Sequence, residues 1–348
     1  MERIIINTPG FRSEILVGEK WDSISGLLPA KNSVIITDNN VNHLFGSRFP
    51  KVPVFSIVPG EESKRLEVIE SLADQLLETG IDRSGFVLAI GGGVVCDIAG
   101  FLASVYMRGI RCGYVSSTLL SQVDASIGGK NGVNLGSTKN MLGTIRQPEF
   151  VICDPAMLQT LSDKEYLSGL AELIKTAIIG AKDLFDLIES NVDEIMDRNS
   201  DLLTRLVAES VRFKGHIVSE DEMETGLRRI LNFGHTFGHA IELQKAVKHG
   251  FAVASGMELA TQYSFEKRYI KSEDLVRIDN LLKRFNLLEK HDLTDEQIEK
   301  LVLHDKKKTG TDINFVFIKG IGKAIIEKVP VNEVLGFYKR FRDKKTEL

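Results

Sequence analysis

The stretch Phe86-Val87-Leu88-Ala89-Ile90-Gly91-Gly92-Gly93-Val94-Val95-Cys96-Asp97-Ile98-Ala99-Gly100-Phe101 decides how this chain is read. Residues 86–90 form a short apolar β-like run, three glycines follow without a break, and residues 94–101 begin a helix. Glycine lets the backbone approach a ligand closely. A helix N-terminus offers unpaired N–H groups at the positive end of its dipole, so strand, glycine turn and helix together suit a pyrophosphate. The spacing is not GxGxxG, and Arg111 stands where an acidic residue would follow in a dinucleotide fold of that type. A tight turn without ligand is the other reading. Residues 86–107 contain no Lys, Arg or Glu, but Asp97 near the middle would cost roughly 3 kcal/mol in lipid. With the glycine triplet, that argues for a buried strand–turn–helix and against a membrane span.

Working outward, β-branched runs alternate with helical patterns up to about residue 155. Residues 4–7 and 15–18 flank Thr8-Pro9-Gly10 and predict a hairpin. Residues 34–37, 54–58 and 111–115 read as strands, the second ended by Pro59-Gly60. From Ser63 to Thr79 the apolar residues Leu66, Ile69, Leu72, Leu76 and Leu77 have helical spacing, with Gly80 suited to the position past the helix end. Alternating strand and helix predicts a parallel sheet covered by helices. Beyond residue 158, Ser162 and Glu165 form a capping box and helical patterns dominate, apart from a late hairpin at residues 313–318 and 324–329 around Gly320 and Gly322. The fold class is therefore α/β: an N-terminal Rossmann-like nucleotide-binding domain over residues 1–158, plus a mainly α-helical C-terminal domain over residues 159–348. A cleft between two such domains is a natural place for a ligand.

A chain of 348 residues is long enough for two cores. Hydrophobic residues at 43% and charged residues at 26% exclude a disordered chain, a collagen-like rod and a coiled coil. Lys+Arg 44 against Asp+Glu 48 leaves a net charge of -4, which speaks against a general nucleic-acid binder. Cys96, Cys112 and Cys153 are odd in number and have no CxxC spacing, which argues against a disulfide framework or a zinc ribbon and fits a reducing cytoplasm. The start, Met1-Glu2-Arg3-Ile4, has no signal-peptide core.

Glycines crowd a second loop, Ser126-Ile127-Gly128-Gly129-Lys130-Asn131-Gly132, followed by Ser137-Thr138-Lys139-Asn140. Its backbone N–H groups with Lys130 and Lys139 suit a phosphate, although no GxxxxGK[ST] occurs and a solvated loop reads equally well. His235 and His239 stand at i and i+4, as two metal-ligand nitrogens on one helix face would, and His249 precedes Gly250 in a turn. There is no HExxH, and HxxxH by itself leaves metal and non-metal readings open. Glu172 and Lys175 share a polar stripe with Glu165: either a solvated face or, for the carboxylate, a third hard ligand. Arg108, Lys130, Lys139, Lys175, Lys214, Arg228, Lys306 and Lys307 each read as surface when taken singly. Together they suggest a pocket for a polyanionic small molecule.

Taken in order, several segments resemble the 3-dehydroquinate synthase family of sugar-phosphate cyclases. They are Pro59-Gly60-Glu61-Glu62-Ser63-Lys64, the glycine turn through Asp97, Tyr106-Met107-Arg108-Gly109, Gln122 through Lys130, Ala171-Glu172-Leu173-Ile174-Lys175, and Gly226-Leu227-Arg228 with Leu231 through His239. The resemblance implies an NAD-dependent homodimer that uses Zn2+ or Co2+, with Glu172, His235 and His249 as metal ligands. His239 is then an acid/base or phosphate-binding residue, whereas spacing alone pairs it with His235. Implied NAD contacts are Asp38, Asn40, Glu61, Lys64, Gly92, Gly93, Asp97, Ser117, Thr118, Lys130, Lys139, Thr160 and Leu161. Implied substrate contacts are Asp124, Lys130, Asn140, Lys175, Lys214, Arg228, Asn232, His239 and one of Lys306 or Lys307, with Arg108 reaching the neighbouring subunit's site. Asp124, Lys130, Asn140 and His239 would be catalytic.

The implied reaction converts 3-deoxy-D-arabino-heptulosonate 7-phosphate to 3-dehydroquinate and phosphate, in the shikimate pathway of aromatic amino acid biosynthesis. It proceeds by transient oxidation with NAD, phosphate elimination, re-reduction and intramolecular aldol closure. Ala125, Asn131 and Phe251 depart from the residues common in the family, Ser, Thr and Glu. The competing readings are another sugar-phosphate cyclase and a metal-dependent polyol dehydrogenase. Retention of Lys214 and Arg228 favours a substrate with a carboxylate.

Overall fold

The computed structural model describes residues 1–29, 32–136, 138–245, 247–289, 293–294, 308–309 and 312–346. The chain divides into two compact units: Met1–Ser162 with Arg198–Met223, and Asp163–Asp197 with Glu224–Leu348. The division thus falls at Ser162/Asp163, not at 158/159, and the segment Arg198–Met223 returns to the first unit. A helical pattern in sequence does not reveal which surface the helix will cover, and this one covers the N-terminal hairpin.

The first unit contains β1 Glu2–Thr8, β2 Phe11–Val17, β3 Ser33–Asp38, β4 Val54–Ile57, β5 Phe86–Gly91, β6 Arg111–Ser116, β7 Lys130–Leu135, β8 Thr138–Ile145 and β9 Phe150–Cys153. Seven of these form one sheet in the order β1-β2-β9-β6-β5-β3-β4. Only β1 and β2 are antiparallel. Their register pairs Thr8 with Phe11, so Pro9 and Gly10 make the turn that the sequence predicts. The other pairings are parallel. β5 is buried along its whole length, which explains an unbroken apolar run in place of an alternating one: helices cover both faces of such a sheet. Helices α1 Asn39–Phe45, α2 Leu66–Glu78 and α3 Gly93–Val105 connect the strands. Ile35, Leu88, Ile90, Val115 and Ile152 build the core on one side, with Trp21 edge-on to Phe45 at 5.4 Å between ring centroids.

Strand order places the site. From β3 the chain steps outward to β4, then returns to β5 on the other side of β3. Ligands of open α/β sheets bind beyond the carboxyl ends of the strands at such a reversal. Asp38 and the glycine turn emerge there, from β3 and β5.

β7 and β8 form a separate antiparallel pair where the sequence reads as loop. Asn131, Gly132 and Asn134 dilute any β pattern in β7, so periodicity cannot show it. The returning helix, Ser200–Glu220, packs on β1, with Gly215 against the Ile6 side chain.

The second unit holds α4 Asp163–Gly180, α5 Lys182–Ser190 and α6 Val192–Met196 before that return (the helix at Ser200–Glu220 is α7). It resumes with α8 His235–Lys245, α9 His249–Glu266, α10 Ser272–Arg284, β10 Lys308–Thr309, β11 Asp312–Ile318, β12 Ala324–Pro330 and α11 Val331–Thr346. β11 and β12 are the predicted late hairpin, extended by β10 into three antiparallel strands. Aromatic rings fill the space between hairpin and helices, with Tyr263 stacked on Phe337 at 4.4 Å. α9 is central, packed on α4, α8, α10 and β11. Two glycines allow this. A methyl group at Gly250 would lie 2.0 Å from the Ser168 carbonyl oxygen, and one at Gly256 2.0 Å from the Gly234 carbonyl oxygen. The start of α9 is thereby seated against α4, and the start of α8 against the middle of α9. Among the described residues, no helix is long and apolar enough to cross a membrane.

Candidate functional site

In the second unit, α4 is buried almost all round, and its middle carries Glu172, 1% exposed, and Lys175, 3% exposed. The solvated-face reading is therefore wrong for Glu172 and Lys175, while Glu165 at the start of the helix keeps its side chain partly in water. The middle of α4 is covered on its polar side as well, and α9 packs along the helix. Lys175 is ion-paired with Glu172 one turn away. The Glu172 Oε1 atom lies 3.3 Å from His249 Nε2 and 3.9 Å from His235 Nε2. Donor atoms of these three residues all lie within 4.8 Å of one another. A tetrahedral ion with ligands at about 2.0–2.2 Å holds neighbouring donors roughly 3.3–3.6 Å apart, so the cluster needs only a small contraction to close on one.

The imidazoles are oriented for that task. His235 Nδ1 faces the Phe233 carbonyl oxygen at 3.2 Å and His249 Nδ1 faces Glu242 Oε2 at 3.3 Å. These contacts at Nδ1 leave each Nε2 turned toward Glu172, where it can ligate an ion once it has given up its own proton. Burial works to raise the Glu172 pKa, but Lys175 and His249 outweigh it and hold the carboxyl well below the usual range. Burial likewise opposes a proton on His249, yet Glu172 and Glu242 hold its pKa up at about 10. Glu172 is buried, with Oε2 paired to Lys175 and Oε1 turned to the two Nε2 atoms without a well-formed hydrogen bond. A carboxylate in that condition beside two Nε2 atoms fits a divalent cation. His239 is exposed, its ring 5.2 Å from that of His235, and lies outside the triad. His249 begins α9 and does not sit in a turn.

In the first unit, the sequence candidates follow the carboxyl ends of successive parallel strands. Asp38 ends β3 and caps α1, accepting from the backbone N–H groups of Asn40 and Val41 at 2.9 and 3.0 Å. Glu61 and Lys64 follow β4, Gly92 and Gly93 follow β5, and Ser117 and Thr118 follow β6. Thr160 and Leu161 end a 3-10 turn after β9. A methyl group on Gly92 would meet Thr118 Cγ2 at 2.9 Å, and one on Gly93 would meet Ala125 Cβ at 3.0 Å. Glycine is thus required here by the close approach of Thr118 and Ala125, and the turn brings bare backbone to a helix N-terminus, which suits a nucleotide's phosphates.

Beneath it, the buried Lys64 reaches Asp97 Oδ2 and Asn140 Oδ1, each at 2.5 Å. Burial lifts the Asp97 pKa to about 6 against the pull of the Lys64 ammonium. Lys130, Lys139 and Asn140 are exposed on the β7–β8 hairpin. Lys214, on α7, donates to the Asp124 carbonyl at 2.6 Å and is ion-paired with its carboxylate.

Two family models match end to end: 3-dehydroquinate synthase N-terminal over residues 54–168, and 3-dehydroquinate synthase C-terminal over residues 169–308. A 3-dehydroquinate synthase from Thermoanaerobacter pseudethanolicus is 43% identical over 320 residues, covering 88% of this chain and 89% of that one. The chain belongs to the 3-dehydroquinate synthase family. Its relative in Caulobacter vibrioides is 38% identical over 342 residues, covering 93% and 91%. Among solved structures, 2-epi-5-epi-valiolone synthase from Streptomyces hygroscopicus subsp. jinggangensis 5008, with NAD+ and Zn2+ bound, matches with a TM-score of 0.88 at 25% identity over 97% and 99% of the two chains.

Several cations of this 3-dehydroquinate synthase family member read as surface residues but are buried: Lys175, Lys214 and Arg228, the last 2% exposed. Single residues carry no burial signal; their partners, distant in sequence, supply it. Asn232 donates to Glu224 Oε1 at 2.5 Å. Arg108 is exposed, and both it and Met107 have positive φ, 70° and 49°. Lys306 and Lys307 lie outside the described residues. Of the three departures from the family pattern, Ala125 packs on Gly93, and Asn131 has a structural task. Asn131 accepts from the Tyr114 hydroxyl at 2.9 Å and donates to the carbonyls of Gly129 at 2.9 Å and Arg146 at 3.0 Å. Nothing in the structure explains Phe251. Glu242 escaped the sequence reading. The only hint was its place on the helix that His235 begins, seven residues before His249.

Proposed function

We propose that the protein converts 3-deoxy-D-arabino-heptulosonate 7-phosphate to 3-dehydroquinate and phosphate, a carbon–oxygen lyase reaction of the shikimate pathway. The observation that carries this reading beyond family membership is the convergence of Glu172, His235 and His249 donor atoms. The first unit is assigned the NAD, at the Gly92–Gly93 cradle with Asp38, Asn40, Glu61, Lys64, Asp97, Ser117, Thr118, Lys130, Lys139, Thr160 and Leu161. The second is assigned Zn2+ or Co2+, held by Glu172, His235 and His249. When bound, the ion polarises a substrate oxygen and the nicotinamide accepts and returns one hydride, so no NADH accumulates.

The chain's own residues do the rest. The Phe233 carbonyl and Glu242 hold the two imidazoles with Nε2 toward Glu172, the arrangement in which the three would hold the ion. Arg228, buried and always charged, suits bidentate recognition of a carboxylate. Lys214 is anchored by Asp124 and offers a second cation for the acid group. Lys130, Asn140 and His239 are assigned to the hydroxyls and phosphate, with His239 able to move a proton at its ring nitrogens. Lys175, Asn232 and one of Lys306 or Lys307 complete the substrate set.

A homodimer and a cytoplasmic setting belong to the same reading. Exposed Val105 and Met107, beside Arg108 in the chain, support a second copy as partner there. The three buried free cysteines suit a reducing compartment. The likeness to a valiolone synthase favours one rival, another sugar-phosphate cyclase. Phosphate release, measured over a panel of sugar phosphates with and without NAD and chelator, tests the proposal. Release from the heptulosonate substrate alone, abolished by chelator and without net NADH, is expected. Release only from a heptulose or hexose phosphate, or net NADH from a polyol, would overturn it.

A further inference from the structure

Asn134 lies on β7 between residues assigned to the nucleotide and residues assigned to the substrate, and it has no role in either set. The pairing of β7 with β8 slips here: Val133 opposes Leu142 and Leu135 opposes Thr138, which leaves Asn134 without a partner in the ladder. Such an irregularity re-aims a side chain. The Asn134 side chain is turned to two neighbours at once. Its Nδ2 donates to Glu61 Oε1 at 3.0 Å, and its Oδ1 accepts from the Asn140 backbone N–H at 2.9 Å. Its own backbone N–H donates to the Lys64 carbonyl at 2.7 Å. Asn140 is held in the left-handed region, φ 50°, a backbone state that asparagine tolerates better than most residues but that still needs support. The hydrogen bond from its N–H to Asn134 supplies that support. The other end of Asn140, Oδ1, is held by Lys64 Nζ, which also pairs with Asp97 in the helix after the glycine turn.

We propose that Asn134 is a positioning residue that couples the nucleotide side of the first unit, Glu61 and Lys64, to Asn140 on the substrate side. The inference rests on the function proposed above. An amide is the group for the task. It donates to a carboxylate and accepts from an N–H at once, and it adds no charge beside Glu61 and Lys64. Aspartate at this position keeps the acceptor for Asn140 but sets a second carboxylate against Glu61. Alanine removes both contacts.

The two substitutions therefore separate the halves of the coupling. In Asn134→Ala, kcat/KM for phosphate release falls about tenfold, the loss that accompanies one well-placed hydrogen bond, and the Kd for NAD in a direct titration rises at least threefold. In Asn134→Asp, the Kd for NAD rises as much or more, while kcat/KM at saturating NAD returns to within about threefold of the parent protein. Neither variant unfolds more than about 4 °C below the parent, because Asn134 is only half-buried and water replaces its bonds. A residue that served folding alone would not split the two constants between the variants. The proposal is overturned by parental values of both constants in Asn134→Ala, or by equal losses in both variants. If the parent protein itself releases no phosphate, the proposed function fails, and the NAD titration of the two variants still decides whether Asn134 supports Glu61 and Lys64.

Discussion

Replacing Glu172 with alanine strips a buried cation of its partner as well as a metal ion of its ligand. Without metal, Glu172 and Lys175 face each other, 1% and 3% exposed. Breaking a buried pair by removing one member costs about 3–5 kcal/mol, because the remaining charge stays out of water. At about 2–4 °C per kcal/mol for a chain of this order of size, metal-free Glu172→Ala should unfold roughly 6–20 °C below the metal-free parent. The double substitution Glu172→Ala with Lys175→Met removes the stranded charge and should recover most of that loss. The metal adds a separate effect. An ion at a thousand times its Kd stabilises the folded parent by about 4 kcal/mol, and neither variant should respond to it. Thermal unfolding with and without Zn2+, together with metal analysis of dialysed protein, reads both effects. Full zinc content with a parental rate in Glu172→Ala would refute the ligand assignment. A metal-free Tm equal to the parent's would refute the account of Lys175.

Arg228→Ala should raise KM for the substrate about 10- to 150-fold, the range for a hydrogen bond to a charged group, and leave the Kd for NAD unchanged; equal loss in both would argue against a carboxylate role. Gly250→Ala forces a methyl group to within 2.0 Å of the Ser168 carbonyl and so pushes α9 off α4. Its stability should fall by about 1–3 kcal/mol and its zinc affinity should fall with it, both read by titration and unfolding. Asp97 gives a pH signature. Its pKa is raised from 3.8 to about 6 in the folded state, so the folded protein holds a proton that the unfolded chain has released between those values. The stability contributed by that proton is present below pH 4 and is lost as pH rises through 6, at up to about 1.4 kcal/mol per pH unit. The stability of the parent relative to Asp97→Asn should therefore decline from pH 4 to 6 and level off above. A difference independent of pH in denaturant unfolding would show that burial does not raise this carboxyl.

Much of the fold is legible in sequence because its signals are local. The run at residues 86–90 into three glycines, the Pro9-Gly10 turn, the spacing of Leu66, Ile69, Leu72 and Leu76, and the late hairpin all depend on neighbours within a few residues. The motifs that carry the family resemblance also lie in short contiguous blocks, including the Glu172, His235 and His239 segments. Local spacing paired His235 with His239, and it took the resemblance, then the packing of α8 and α9 on α4, to set His249 and Glu172 beside His235.

Other features were not legible because they are made by contacts between residues distant in sequence. The helix at Ser200–Glu220 has a helical pattern, but only packing shows that it covers β1 in the first unit. Lys175, Lys214 and Arg228 look like any surface cations until their burial is seen, and Asn134 becomes interesting only when its bonds to Glu61 and Asn140 are known. By itself, the sequence determined which elements form, which family they belong to and which residues could ligate or bind. Only the tertiary structure decided which charges leave water, which nitrogen of each histidine faces the carboxylate, and which silent residue joins two sites, since desolvation and orientation are properties of packed neighbours that no linear spacing contains.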